Sequence, residues 1–138
     1  MSAGLLLVTH NGIGAELLRV ATGMLGGCPL RAEALAVGHD DERDDMLATA
    51  RAMAALLDEG DGLLVLTDLY GSTPSNIAHS LGGQHRVRVL SGVNLPMLVR
   101  ALNYAPLPLD ELAAKALSGA HDGVMLCPNT NDRHDSRR

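Results

Sequence analysis

Apolar and polar positions along this chain fall into alternating blocks: short unbroken apolar runs, then longer stretches in which apolar residues recur every three or four positions. A strand covered on both faces of a sheet reads as a near-continuous apolar run, whereas a helix lying on that sheet shows one apolar stripe. The alternation therefore predicts an α/β fold, an open and mainly parallel sheet with helices on both faces. The first strand spans about Gly4 to Thr9 and leads to a helix from about Ile13 to Leu25, with Leu17, Leu18, Ala21, Met24 and Leu25 on its apolar stripe. Gly26-Gly27 ends that helix, and Ala32 to Val37 forms the second strand. After the acidic turn Gly38-His39-Asp40-Asp41, a second helix is expected from about Asp41 to Glu59, with Met46, Met53, Leu56 and Leu57 inward and Gly60 at its end.

The third strand, Gly62 to Thr67, delivers the segment Asp68-Leu69-Tyr70-Gly71-Ser72-Thr73-Pro74-Ser75-Asn76. Thr73 is placed there as the cap and Pro74 in the first turn of a helix reaching about Leu81. The fourth strand, Arg86 to Leu90, leads through Ser91-Gly92-Val93-Asn94 into a helix ending near Tyr104. A last helix is expected over Asp110 to Leu117, with Gly119 beyond it. The isolated apolar run Gly123-Val124-Met125-Leu126 then needs a sheet edge to pair with. From Pro128 to Arg138 the chain is polar and lacks apolar anchors. The expected organisation is one domain over residues 1–127 and a disordered tail over 128–138.

In an open parallel sheet ligands gather outside the carboxyl ends of the strands, so the residues there are the first candidates for chemistry. His10 and Asp68 occupy equivalent strand ends. If their strands are neighbours, about 4.8 Å apart, the carboxylate reaches one imidazole nitrogen and leaves the other as a lone-pair nucleophile. Helix starts follow closely, and their free N–H groups form anion sites that glycines let the backbone approach. Gly12, Gly71, Ser72, Thr73 and Asn94 are accordingly the candidate phosphoryl-binding residues, with a helix cap an equal alternative for Asn94.

Composition narrows the function classes. With 138 residues, a formal charge of −5, one lysine and only Tyr70 and Tyr104 as aromatics, the chain lacks the basic, aromatic surface that nucleic-acid binding requires. Cys28 and Cys127 have no metal-ligand spacing, the N-terminus has no secretory leader pattern, and no apolar stretch approaches about 20 residues. A cytoplasmic protein without direct membrane insertion is expected. His39 beside Asp40, Asp41, Asp44 and Asp45 suggests a metal, but acidic residues at a helix start are ordinary dipole partners, so no metal site and no cofactor are assigned. An aspartyl-phosphate receiver at Asp68 would need an acidic cluster for Mg²⁺ at the first strand, and Thr9-His10-Asn11 supplies none.

Three segments together carry a family resemblance: Thr9-His10 at the first strand end, the block Asp68 to Asn76, and Gly92-Val93-Asn94-Leu95-Pro96-Met97-Leu98. Over about Leu5 to Leu126 the chain resembles the IIA component of the mannose family of the bacterial phosphoenolpyruvate-dependent sugar phosphotransferase system. The resemblance implies strand order 2-1-3-4, a phosphohistidine at His10 and an aspartate, Asp68, bonded to its ring. It also implies HPr as phosphoryl donor, a IIB component as acceptor, and a homodimer in which Val124 to Leu126 add as an antiparallel strand to the other subunit's sheet. Two departures stand out: Asn11 follows the histidine where the family pattern has glycine, and Gly71-Ser72-Thr73-Pro74 replaces a glycine directly before Ser-Pro. Without a following IIB domain in the sequence, a separate acceptor polypeptide is expected. Two alternatives remain: a phosphotransfer subunit serving dihydroxyacetone kinase, and a regulatory module whose His10 phosphorylation controls docking without sugar transport.

Overall fold

The computed structural model describes residues 2–129. Four strands, β1 (Gly4–His10), β2 (Ala32–Val37), β3 (Leu63–Thr67) and β4 (Val87–Ser91), form one parallel sheet of order β2-β1-β3-β4. The helices are α1 (Ile13–Leu25), α2 (Arg43–Leu57), α3 (Thr73–His79), α4 (Leu95–Asn103) and α5 (Leu109–Asp122), with a 3₁₀ turn at Ser80–Gly83 after α3. Every βαβ crossover returns the chain to the same end of the sheet, so all four strands point their carboxyl ends one way.

Side chains alternate faces along a strand, and the core divides accordingly. Leu5, Leu7, Leu64 and Leu66 point to one face and pack with Ala21 of α1 and with Met97, Leu98, Ala101, Leu112 and Ala116 of α4 and α5. On the opposite face Leu6, Val8, Leu63 and Val65 meet Ala50, Ala54 and Leu57 of α2 and Ile77 and Ala78 of α3. The leucines and valines of β1 and β3 are fully buried, each contributing about 2 kcal/mol by leaving water. The two central strands that carry the candidate chemistry thus rest on the best-packed part of the molecule.

Several expected boundaries shift, each for a local reason. Helix α2 starts at Arg43, because Asp41 Oδ2 accepts the Gly38 N–H at 2.6 Å and holds residues 38–41 in a turn; Glu42 is the N-cap. That helix ends at Leu57, where Asp58 takes over, and Leu56 points outward, 69% exposed. In α1 the stripe narrows toward the end: Ala21 is buried, but Met24 is 64% exposed. Ser72, and not Thr73, is the N-cap of α3, with Thr73 as its first residue. Helix α5 runs on past Leu117 to Asp122, because Gly119 lies inside it, where a Cβ would stand 2.6 Å from Arg100 Cβ. That glycine serves the close approach of α4 and α5 and not a helix stop. Val124, Met125 and Leu126 follow α5 without secondary structure in the single chain and are exposed. Of the expected tail, residues 130–138 lie outside the described residues.

Candidate active site

Strands β1 and β3 pair in the register Val8↔Thr67, so the chain leaves the sheet at neighbouring points on both. His10 is the last residue of β1, and Asp68 is the first after β3. One oxygen of Asp68 joins them twice: Oδ2 accepts the backbone N–H of His10 at 3.1 Å and faces its ring Nδ1 at 2.9 Å. A carboxylate oxygen only accepts, so the network assigns the proton to Nδ1 and the lone pair to Nε2. Asp68 is largely covered, its side chain 13% exposed, while the imidazole stands 44% exposed. The other oxygen, Oδ1, is buried with no hydrogen-bond partner among the described residues, so no further donor disperses the carboxylate's charge away from the ring.

The turn beyond His10 is tight. Asn11 takes a left-handed conformation, φ 45°, and its N–H donates to Val37 O of the neighbouring β2 at 3.0 Å. A short polar side chain makes asparagine one of the few residues that tolerate this geometry, which is how the turn survives without the glycine of the family pattern. Gly12 is the N-cap of α1, and open space surrounds the position its Cβ would take. Under the turn, buried Thr9 accepts the Gly14 N–H on Oγ1 at 2.8 Å.

After β3, Gly71 turns at φ 83°, and Ser72 donates its hydroxyl to Leu69 O at 2.6 Å. Gly71 and Ser72 thus share one loop with Asp68, and Thr73, an exposed residue, opens α3 directly after it. Of the two roles open to Asn94, the structure shows the cap: Oδ1 accepts the Met97 N–H at 2.9 Å, and Nδ2 donates to Ala120 O at 3.3 Å. Below the loops, Thr67 Oγ1 and Ser91 Oγ are 3.0 Å apart and Val93 N–H donates to Thr67 O, tying the end of β3 to that of β4. Sequence reasoning missed this layer of hydroxyls, whose signal was a threonine at or next to the end of each central strand, Thr9 in β1 and Thr67 in β3.

Among the described residues, His39, His79 and His85 stand apart from the dyad. His39 is exposed in the turn after β2, His79 faces Ser75 O through Nδ1, and His85 pairs with Asp58 at the opposite end of the sheet. Around His10 the surface is open and partly apolar, with Ile13 47%, Leu69 62% and Tyr70 77% exposed. Tyr70 makes an edge contact with His79, ring centroids 6.3 Å apart.

A family model described as the PTS system fructose IIA component, EIIA-man, matches residues 4–117, the whole sheet and most of α5. The chain belongs to the mannose-type IIA family of the phosphotransferase system. A curated relative, the mannose-specific EIIAB component of Escherichia coli strain K12, is 31% identical over 133 residues, covering 90% of this chain. The chain spans 39% of that relative's length. Among solved structures, the mannose/sorbose-specific IIA subunit from Enterococcus faecalis superposes with a TM-score of 0.82 at 29% identity, covering 94% of this chain and 97% of that one. The EIIA component from Streptococcus agalactiae, at 23% identity and a TM-score of 0.79 over 90% and 96% of the two chains, supports the fold. No helix among the described residues of this IIA-family chain is long and apolar enough to cross a membrane.

Proposed function

We propose that this IIA-family chain is a cytoplasmic phosphocarrier in which Nε2 of His10 accepts a phosphoryl group from phospho-HPr and passes it to a IIB component. The observation that carries the reading is the dyad itself: Nδ1 held by Asp68 and Nε2 presented, without a partner among the described residues, on an exposed ring. In the loading step the Nε2 lone pair forms the new N–P bond as the bond from phosphorus to the donor's nitrogen breaks, and that nitrogen keeps the electron pair; in the unloading step the acceptor's nucleophile bonds phosphorus as the Nε2–P bond breaks, and its electron pair returns to Nε2. The imidazole gains positive charge in the step, which Asp68 Oδ2 balances through the Nδ1–H bond. Backbone N–H groups at the start of α1 beyond Gly12 and over Gly71 to Thr73, with the Thr73 hydroxyl, receive the phosphoryl oxygens, while the Ser72 hydroxyl, which donates to Leu69 O, holds the shape of that loop. Asn94 contributes by fixing the start of α4. Phosphoryl transfer of this kind is chiefly positioning and charge stabilisation, and it needs no metal or organic cofactor.

The open, half-apolar setting of His10 favours a protein as donor and acceptor, since Leu69, Tyr70 and Ile13 offer exposed contact area beside the ring and no deep cleft is needed. The chain acts as a homodimer, with Val124, Met125 and Leu126 added to the partner's sheet. Their exposure in the single chain, 74%, 66% and 97%, supports this. Incubation with phosphoenolpyruvate, enzyme I and HPr should load one acid-labile, base-stable phosphate per chain, and a IIB protein added afterwards should remove it. Protein that stays unlabelled under these conditions, or keeps its label indefinitely beside IIB, contradicts the reading.

A further inference from the structure

Helix α1 begins at a residue that cannot cap it. A cap side chain ordinarily accepts an N–H from the second or third residue of its helix. Gly12 has no side chain, and the N–H of the second helical residue, Gly14, is received instead by Oγ1 of Thr9, three residues before the cap, at 2.8 Å. The same hydroxyl directs its own hydrogen to His10 O, a longer contact of 3.4 Å. The threonine methyl shares the junction: a Cβ on Gly14 would lie 3.1 Å from Thr9 Oγ1, 3.2 Å from Thr9 Cγ2 and 3.1 Å from Leu7 Cβ. The start of α1 is therefore pressed onto the end of β1 at a fully buried threonine.

This bond closes a ring through His10, Asn11 and Gly12, the segment that aims the imidazole. Its other anchors are the His10 N–H on Asp68 Oδ2 and the Asn11 N–H on Val37 O. Asn11 at φ 45° sits in a sparsely populated conformation, which persists only where its surroundings over-determine it. Three hydrogen bonds from three directions do so here. The Thr9 bond also withdraws the Gly14 amide from the donors that the start of α1 offers an anion.

We infer that Thr9 is a positioning residue, whose hydroxyl caps α1 from the end of β1 and thereby fixes the His10 ring in its Nδ1–H tautomer against Asp68. The inference rests on the phosphocarrier reading for its functional consequence but not for its geometry. Thr9→Ser keeps the acceptor. Thr9→Val keeps the shape and presents a methyl to the Gly14 N–H, and Thr9→Ala removes the hydroxyl without that methyl.

The test compares these full-length variants with wild type by ¹⁵N NMR of the His10 ring nitrogens and by the rate of phosphorylation with phosphoramidate, a small phosphoryl donor to imidazole. Wild type and Thr9→Ser are expected to show one tautomer and similar rates. Thr9→Val is expected to show mixed tautomers and a rate lower by on the order of tenfold or more, as small misplacements of reacting groups produce. A folded Thr9→Val with the wild-type ring spectrum and rate overturns the inference, and Thr9→Ala is read by the same criteria should the valine variant fail to fold. Wild-type protein that phosphoramidate does not label would count against the phosphocarrier reading, while the tautomer ratios would still decide the role of Thr9.

Discussion

Asp68 Oδ2 receives two N–H groups from one residue, so it fixes the peptide of His10 and the ring of His10 together. An asparagine at this position could still accept both bonds through its carbonyl oxygen. Its amide nitrogen would then fall where Oδ1 now sits buried without a partner, so little new is lost in hydrogen bonding. What disappears is the negative charge that balances the ring as phosphorus bonds to Nε2. Asp68→Asn should therefore keep the fold and slow phosphoryl transfer by on the order of 100-fold, within the range for removal of a positioned acid–base partner. Stopped-flow transfer from phospho-HPr checks this, and an unchanged rate would remove Asp68 from the chemistry. Both members of the dyad were legible in the sequence because each stands where an apolar run breaks into a polar, glycine-bearing loop. The role of Thr9 was not, because a threonine inside an apolar run reads as strand propensity until the helix that it caps is folded over it.

At the scale of elements, the end of the sheet opposite the active site is held by a second His–Asp pair. Asp58, the residue after α2, accepts the N–H groups of Gly60 at 2.8 Å and Gly62 at 3.0 Å on Oδ1 and faces His85 Nδ1 at 2.8 Å with Oδ2. Burial raises its pKa, but the hydrogen bonds from Gly60, His85 and Gly62 together outweigh burial, and the net shift is downward from the usual carboxylate value. A carboxyl whose folded pKa is depressed stabilises the fold above its unfolded pKa, about 3.9, and that contribution is lost as pH falls through the folded value. Asp58→Ala should cost about 2 kcal/mol at pH 7, and the gap to wild type should close as denaturation is repeated below about pH 4. Urea titrations over a pH series check this; a gap that widens in acid would contradict it. The elements themselves were readable wherever period and punctuation agreed, as in all four strands. They were misread where a glycine served packing: Gly119 resembles a stop in sequence, yet it marks the crossing of α4 and α5.

For the whole molecule, strand order was legible only through the family resemblance, since four apolar runs of similar length are compatible with more than one parallel arrangement. The structure confirms the order β2-β1-β3-β4, and it leaves the Val124–Leu126 run exposed after α5. An exposed apolar run outside any sheet is a strand without a ladder, and a two-fold exchange with a second copy would bury it and pair it reciprocally. Because α5 extends to Asp122, the informative truncation falls after Gly123. That form should run as monomer or aggregate in light scattering, whereas the full-length protein and a form ending after Pro128 should both run as dimers; a soluble dimer of the shorter form would contradict a strand-exchanged assembly.

The central claim is narrower than assembly and depends on one atom, Nε2 of His10. Intact-mass spectrometry of wild type and His10→Ala, each incubated with phosphoenolpyruvate, enzyme I and HPr, tests it most directly. Wild type should gain the mass of a single phosphate, lost on brief acid treatment, and His10→Ala should gain none. A phosphate that persists in His10→Ala would place the acceptor elsewhere and contradict the account.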